Sequence, residues 1–359
     1  MILKKIFVLL TVIFLLFALS ITSFAEPAVS AKAAVVICAD SGEIVYSKNS
    51  DERLPMASTT KIMTSLIAIE NGADDKMITV TDEMVRVEGT SMGLKGGDSV
   101  SLLSLVKGML MSSGNDAANA TAHIISGGLE PFAQLMNERA KEIGMTNTHF
   151  VTPSGLDADG HYSTAYDMAL LAAEAIKNPV FFNICSSKSV KAYYGAPPYR
   201  RVLTNHNKLL SVSDDYIGLK TGFTKKSGRC LVSAINRDGK TLITVTLSDP
   251  DDWNDHQKLY DYALPLVKST SLSCDVESYS LKVIGGKEDK VSVTLSENAD
   301  YTYFSEQLSY SYKIYIKKFE YAPVHKGEIV GRVDFFSDNG KFLKSVDLVA
   351  EKDVLSLKE

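Results

Sequence analysis

Ser58 and Lys61 stand three residues apart in the stretch Pro55-Met56-Ala57-Ser58-Thr59-Thr60-Lys61-Ile62-Met63-Thr64. Residues at that spacing share one face of a helix, so the hydroxyl and the amine can meet there. A serine hydroxyl is a poor nucleophile until a neighbouring base takes its proton. Lysine serves as that base when burial and nearby cations push its pKa down. The apolar residues that follow, Ile62, Met63, Leu66, Ile67 and Ile69, are what would bury such a helix. The pair alone says little, because Ser104-Leu-Val-Lys107 repeats it in the same chain.

Two further elements join it. Ser113-Gly114-Asn115 reads as a loop between helices, with a second hydroxyl that can relay a proton and an amide that can bind Lys61 or a substrate carbonyl. Ser-x-Asn also occurs at Ser47-Lys-Asn49 and Ser296-Glu-Asn298. Lys220-Thr221-Gly222 ends the apolar strand Ile217-Gly-Leu219 and is the only Lys-Thr-Gly in the chain. Lys220 adds positive charge, Thr221 can hydrogen-bond a carboxylate, and Gly222 leaves room for a substrate backbone against the strand.

The elements that must carry these groups are legible in outline. Ala33 to Ile37, the turn Asp40-Ser41-Gly42 and Glu43 to Tyr46 read as paired strands. The continuously apolar Ala34-Val35-Val36-Ile37 suits a strand covered on both faces. From Ser58 to about Lys177 the pattern is mostly helical, with Leu102 to Met111 ending just before Ser113 and Asp116 placed to cap Asp116 to Ile125. After Pro179 strands return, at Ser189 to Tyr194, Ile217 to Thr221, Arg229 to Ile235 and Thr241 to Leu247, before a helix over Trp253 to Val267. The chain therefore opens and closes on strands and inserts helices between them, which predicts one antiparallel sheet beside a helical subdomain. From about Ser269 Val, Tyr, Ser and Lys alternate, with strands expected at Val291 to Leu295, Tyr312 to Phe319, Ile329 to Phe336 and Phe342 to Val349. Asp338-Asn339-Gly340 is a hairpin turn.

The N-terminus has Lys4-Lys5, an apolar run from Ile6 to Leu19, then Ser23-Phe24-Ala25, the pattern of a secretory signal peptide over 1–25 cut after Ala25. Export from the cytoplasm follows as an expectation. A retained membrane anchor is the alternative, although the run is shorter than the ~20 residues of a usual span. The remaining length suits two domains, 26–268 and 269–359. With a net charge of −5 there is no basic field, so nucleic acid is not expected as a partner. Cys38, Cys185, Cys230 and Cys274 form no Cys-x-x-Cys pair and read mostly as unpaired core residues, and the six histidines show no metal-binding spacing. No metal or cofactor is expected.

The three motifs, in this order, are those of penicillin-binding proteins and class A β-lactamases. From about Ala31 to Val267 the chain resembles the serine D-alanyl-D-alanine carboxypeptidases, the low-molecular-mass penicillin-binding proteins. The resemblance extends to Met111-Ser-Ser-Gly-Asn-Asp-Ala-Ala-Asn119, Pro153-Ser-Gly-Leu156, His161-Tyr-Ser-Thr-Ala165 and Gly218-Leu-Lys-Thr-Gly-Phe-Thr224. It implies an α/β (α+β) catalytic domain of the β-lactamase/transpeptidase-like type, an antiparallel sheet plus a helical subdomain, followed by a small all-β domain. It also implies that Ser58 is acylated, that Lys61 is its base and that Ser113 relays a proton to the leaving D-alanine. Asn115 then orients lysine and substrate, Lys220 acts electrostatically, and Thr221 meets the terminal carboxylate beside Gly222. The N–H groups of Ser58 and Phe223 form the oxyanion hole. The implied partners are peptidoglycan stem peptides ending in D-Ala-D-Ala, with β-lactams as inhibitors.

Some residues depart from that family. Ser248-Asp-Pro-Asp-Asp-Trp-Asn-Asp-His256 lacks an arginine that some members use for the substrate carboxylate, which leaves Arg229 or His256 as the substitute. The tail from Val346 to Glu359 shows no basic amphipathic face, so either the protein is released or an uncleaved N-terminus holds it at the membrane or cell wall. Three rival readings share part of the machinery: a DD-endopeptidase, a serine β-lactamase, and a non-catalytic β-lactam sensor or cell-wall scaffold. A β-lactamase needs a deacylating glutamate. The loop from Thr152 to Asp167 has none, and Glu174-Ala-Ile-Lys-Asn178 is only a faint match to the expected pattern.

Overall fold

The computed structural model describes residues 26–305 and 308–357, so the signal-peptide expectation over 1–25 lies outside the described residues. Two strands open the chain, β1 (Ala33–Cys38) and β2 (Ile44–Lys48). Then come α1 (Lys61–Glu70), β3 (Met77–Thr79), the short α2 (Asp82–Val85), β4 (Ser99–Ser101), α3 (Leu102–Ser112), α4 (Asn115–Ser126), α5 (Leu129–Ile143), α6 (Ala165–Ala175) and α7 (Pro179–Cys185). Strands β5 (Ser189–Gly195), β6 (Pro198–Thr204), β7 (Tyr216–Thr224), β8 (Gly228–Arg237) and β9 (Lys240–Leu247) follow, and α8 (Asp252–Ala263) ends the series.

The central sheet is antiparallel, as expected, in the order β2-β1-β9-β8-β7, and it pairs the first strand of this part with the last. Strand β1 is buried along its length because both faces are covered. Ala33, Val35 and Ile37 join α1, α3 and α6 in one core; Ala34, Val36 and Cys38 meet α8 in another. Strand β7 is an edge, and its open side faces the cleft described below.

Some local expectations fail for identifiable reasons. Helix α7 lies where only strands are expected after Pro179. Pro179 sits in its first turn and Asn178 Oδ1 accepts from the N–H groups of Val180 and Phe181, but seven residues are too few to display a period. Asp116 does not cap α4, which starts one residue earlier. Its carboxylate instead receives the N–H groups of Met92, Gly93 and Leu94 and the Ser91 hydroxyl, and so ties down the loop before α3. Strand β6, the hairpin partner of β5, and the small sheet β3-β4-β5-β6 are also beyond the sequence reading.

Past α8 the chain enters β10 (Lys268–Ser271), then β11 (Ser280–Ile284), β12 (Lys290–Leu295), β13 (Asp300–Tyr303), β14 (Tyr310–Ile316), β15 (Glu320–Tyr321), β16 (Ile329–Ser337) and β17 (Phe342–Ala350). Asp338-Asn339-Gly340 turns β16 into β17, as expected. The order β14-β16-β17-β12-β11-β15 surrounds a separate core of Val333, Phe335, Val346 and Leu348. The ribbon β10-β13 holds this module on the catalytic sheet, with Thr302 Oγ1 accepting from Thr241 N–H and Thr302 N–H donating to Asp40 Oδ2. All four cysteines are separate thiols.

Candidate active site

Ala57 takes a left-handed φ of +48° and starts a single 3-10 turn, Ala57–Thr60, that runs into α1. Thr59 Oγ1 donates to Met56 O at 2.6 Å and fixes the turn. Ser58 is left partly exposed at its tip, while Lys61, one turn on, is fully buried. Two glycines make room for this turn. A Cβ on Gly155 would lie 1.9 Å from Ala57 O, and one on Gly222 would lie 3.1 Å from Ser58 N. Gly222 therefore also admits the turn that carries Ser58, a role beyond the one the sequence reading gave it.

Lys61 Nζ lies 2.9 Å from Ser58 Oγ, 2.7 Å from Asn115 Oδ1 and 2.5 Å from Ser154 O. Asn115 Nδ2 donates to Glu88 O at 2.7 Å, so its oxygen faces the lysine. A carbonyl and an amide oxygen can only accept, and they take two amine hydrogens. When Lys61 is neutral its lone pair is thus left for the Ser58 hydroxyl. Burial, and next the Lys220 charge, hold the Lys61 pKa well below its usual value, while Asp116 opposes them.

The segment from Pro153 to Leu156 is pinned to α1. Thr64 Oγ1 donates to Pro153 O at 2.6 Å. His161 Nδ1 accepts from Val151 N–H at 2.9 Å, which leaves Nε2–H to donate to Thr60 Oγ1 at 3.0 Å. Burial pushes the His161 pKa down to about 4, keeping this clamp neutral. The sequence reading noticed these blocks and assigned them no role. Their contribution is a backbone carbonyl and a missing side chain, neither of which a residue type announces.

Ser113 caps α3 in the left-handed region at φ +58°, and its hydroxyl lines the cleft with Ser58. From β7, Lys220 is 2% exposed and donates to Thr221 O at 2.7 Å; burial lowers its pKa to about 7. Thr221, Gly222 and the exposed Phe223 form the cleft's strand wall. All three motifs therefore converge on one cleft of about 450 Å³. The duplicate pair does not: Ser104 is buried in α3 and bonded to Ser101.

The far end of the cleft separates the two carboxylate-binding candidates. Arg229 lines it, its Nη2 paired with Asp252 and its guanidinium 5.7 Å from the Trp253 ring centre. His256 is fully buried between Ser233 Oγ at 2.7 Å and Thr246 Oγ1 at 3.0 Å, so it cannot reach substrate. His206 and Lys208, absent from the sequence reading, also line the cleft. Glu174 is occupied elsewhere, by Arg139 at 2.7 Å and Lys177 at 3.0 Å. Among the described residues no three His, Cys, Asp or Glu side chains converge as a metal site.

Comparison with known proteins meets this geometry. Residues 20–251 match the family described as D-alanyl-D-alanine carboxypeptidase, and 268–356 match the C-terminal domain of penicillin-binding protein 5. D-alanyl-D-alanine carboxypeptidase DacF of Bacillus subtilis is 34% identical over 92% of this chain and 87% of its own. DacC of Escherichia coli is 34% identical over 94% and 89%. The crystal structure of DacD from Francisella tularensis superposes with a TM-score of 0.65 at 30% identity, covering 94% of this chain and 96% of that one.

Proposed function

The chain belongs to the D-alanyl-D-alanine carboxypeptidase family, and from that premise we propose how its cleft removes the terminal D-alanine of a peptidoglycan stem peptide. It is a serine peptidase, and the family binds β-lactams. The observation that carries the assignment is Lys61, fully buried, with Ser58 Oγ at 2.9 Å and its other two partners obligate acceptors.

Neutral Lys61 takes the Ser58 proton as Ser58 Oγ bonds to the carbonyl carbon of the penultimate D-alanine. The N–H groups of Ser58 and Phe223 stabilise the oxyanion. Ser113 passes the proton to the departing amine, the C–N bond breaks, and an ester remains on Ser58. Water then attacks that ester, with Lys61 as base, and releases the shortened stem. The substrate lies along the open edge of β7. Lys220 makes the pocket cationic while it is protonated, below its lowered pKa of about 7, and Thr221 with Arg229 holds the terminal carboxylate. Of the cleft-lining residues only Asp252 carries a carboxylate, and Arg229 engages it. A β-lactam keeps its leaving amine tethered beside the Ser58 ester, in the way of the attacking water, and no free cleft carboxylate offers a class A route around it; the ester therefore persists, which separates this enzyme from a class A β-lactamase.

Intact-protein mass spectrometry after brief exposure to benzylpenicillin should show one stable adduct on the Ser58 peptide, absent in Ser58→Ala. An unmodified chain with the penicillin consumed would identify a β-lactamase instead. We also propose export, supported by Lys4-Lys5 and the apolar run that follows. The same spectrum reads the cleavage, because a cut chain starts at Glu26, whereas a retained Met1 rejects cleavage after Ala25 and leaves the anchor reading. Arg229→Gln should raise KM for a D-Ala-D-Ala peptide by roughly 10-fold or more with kcat little changed, as for loss of a charge-assisted hydrogen bond. An unaltered KM removes Arg229 from carboxylate binding.

A further inference from the structure

Strand β7 does not keep step with β8 along its whole length. Tyr216 stands opposite Ile235, but Gly218 stands opposite Ala234, and the register then holds to Thr224 opposite Gly228. One extra residue is therefore inserted near Ile217. Gly218 and Leu219 carry φ values of +96° and +106°, outside the range of an ordinary strand.

Side chains alternate across a strand, so one inserted residue exchanges the faces of everything beyond it. Cys230, Val232 and Ala234 of β8 face the core shared with α1, whereas Leu231 and Ile235 face the α8 side. Lys220 pairs with Val232 and Gly222 with Cys230, which puts both on the nucleophile's side. Counted from Tyr216 without the extra residue, Lys220 would fall opposite Leu231 on the α8 side and Leu219 would take its place opposite Val232. The insertion is wedged from behind. A Cβ on Gly218 would lie 2.4 Å from Cys185 O, at the end of α7, and Asn205 Nδ2 donates to that carbonyl at 3.0 Å.

We propose that the bulge at Ile217–Leu219, held open by the C-terminal end of α7, is the device that turns Lys220 toward Lys61, with Gly218 as its positioning residue. This rests on the role assigned to Lys220 above. The groups around the pair are few: Lys220 from β7 and Asp116 from α4 act on Lys61, and the His206 pKa is lowered by desolvation and next by the Lys220 charge. Lys61 must be neutral to act, so the rate of acylation rises with pH through its pKa. Moving the Lys220 cation away raises that pKa and carries the acidic limb to higher pH.

The test is the pH profile of acylation by benzylpenicillin in Gly218→Ala, Lys220→Ala and the double variant, with thermal melting alongside. Gly218→Ala should lose about 10²-fold in acylation, as for a group misplaced by about 1 Å. Its acidic limb should move upward as in Lys220→Ala, and the double variant should be no slower than Lys220→Ala. Asn205→Ala, which loosens the wedge together with the bonds of Asn205 to Ser187 O and Asn207 N–H, should move the limb the same way by less, and it decides alone if Gly218→Ala does not fold. An acidic limb that stays put in folded variants, or losses that multiply in the double variant, would overturn the proposal. If Lys220→Ala leaves both rate and limb unchanged, the role of Lys220 falls and the positioning proposal with it.

Discussion

Lys61→Arg should reduce acylation by benzylpenicillin by about 10³- to 10⁴-fold, although it keeps a cation at the same place. Guanidinium stays protonated throughout the working range and cannot take the Ser58 proton. It also needs acceptors for five N–H groups where Ser58 Oγ, Asn115 Oδ1 and Ser154 O are the three bonded to Lys61. Lys61→Met removes the base without adding bulk and should lose a similar factor. Stopped-flow acylation rates at several pH values check both. In the native enzyme the acidic limb should lie well below the ordinary lysine pKa, because burial and Lys220 favour the neutral amine. In Lys61→Met that limb should disappear from the residual rate. A variant that acylates within tenfold of the native rate would show that another group is the base.

Gly155→Ala is expected to damage fold and chemistry together. Gly155 holds φ +81°, and an added Cβ would lie 1.9 Å from Ala57 O, deep inside contact distance. Left-handed backbone costs a non-glycine residue roughly 1–2 kcal/mol, and overpacking a filled site costs about 1–3 kcal/mol. At roughly 2–4 °C per kcal/mol for a domain of this size, the melting temperature should fall by roughly 5–15 °C. The relief available is for the Pro153–Leu156 segment or the Ala57 turn to move, and either movement separates Lys61 from Ser154 O or misaims Ser58. Acylation should therefore fall by about 10²-fold in protein that is still folded. Calorimetry with single-turnover kinetics reads both effects. A normal acylation rate in a destabilised variant would mean that the strain is absorbed elsewhere and that the segment does not set the nucleophile.

The chemistry was legible before the fold. Ser58 and Lys61 share a face because of their spacing alone, and Ser113, Asn115 and Lys220 stand out through the order in which the three motifs follow one another. The strands of the central sheet were readable because burial on both faces makes Ala33–Cys38 continuously apolar. Asp338-Asn339-Gly340 was readable because a tight hairpin requires such residues. Helix α7 was not, since seven residues show no period, and Asp116 was misread because a carboxylate near a helix start suits a cap and a loop clasp equally well.

What only the tertiary structure decided is the state and aim of those groups. The Lys61 amine meets its acceptors 54 and 93 residues away, one of them the backbone oxygen of Ser154. Gly222 serves the Ser58 turn, His256 is sealed in the core while Arg229 reaches the cleft, and Lys220 faces Lys61 through one extra residue in a strand. The physical reason is common to all four. Burial, backbone carbonyls and strand register belong to pairs of distant segments, whereas a sequence displays the side chains of one segment at a time.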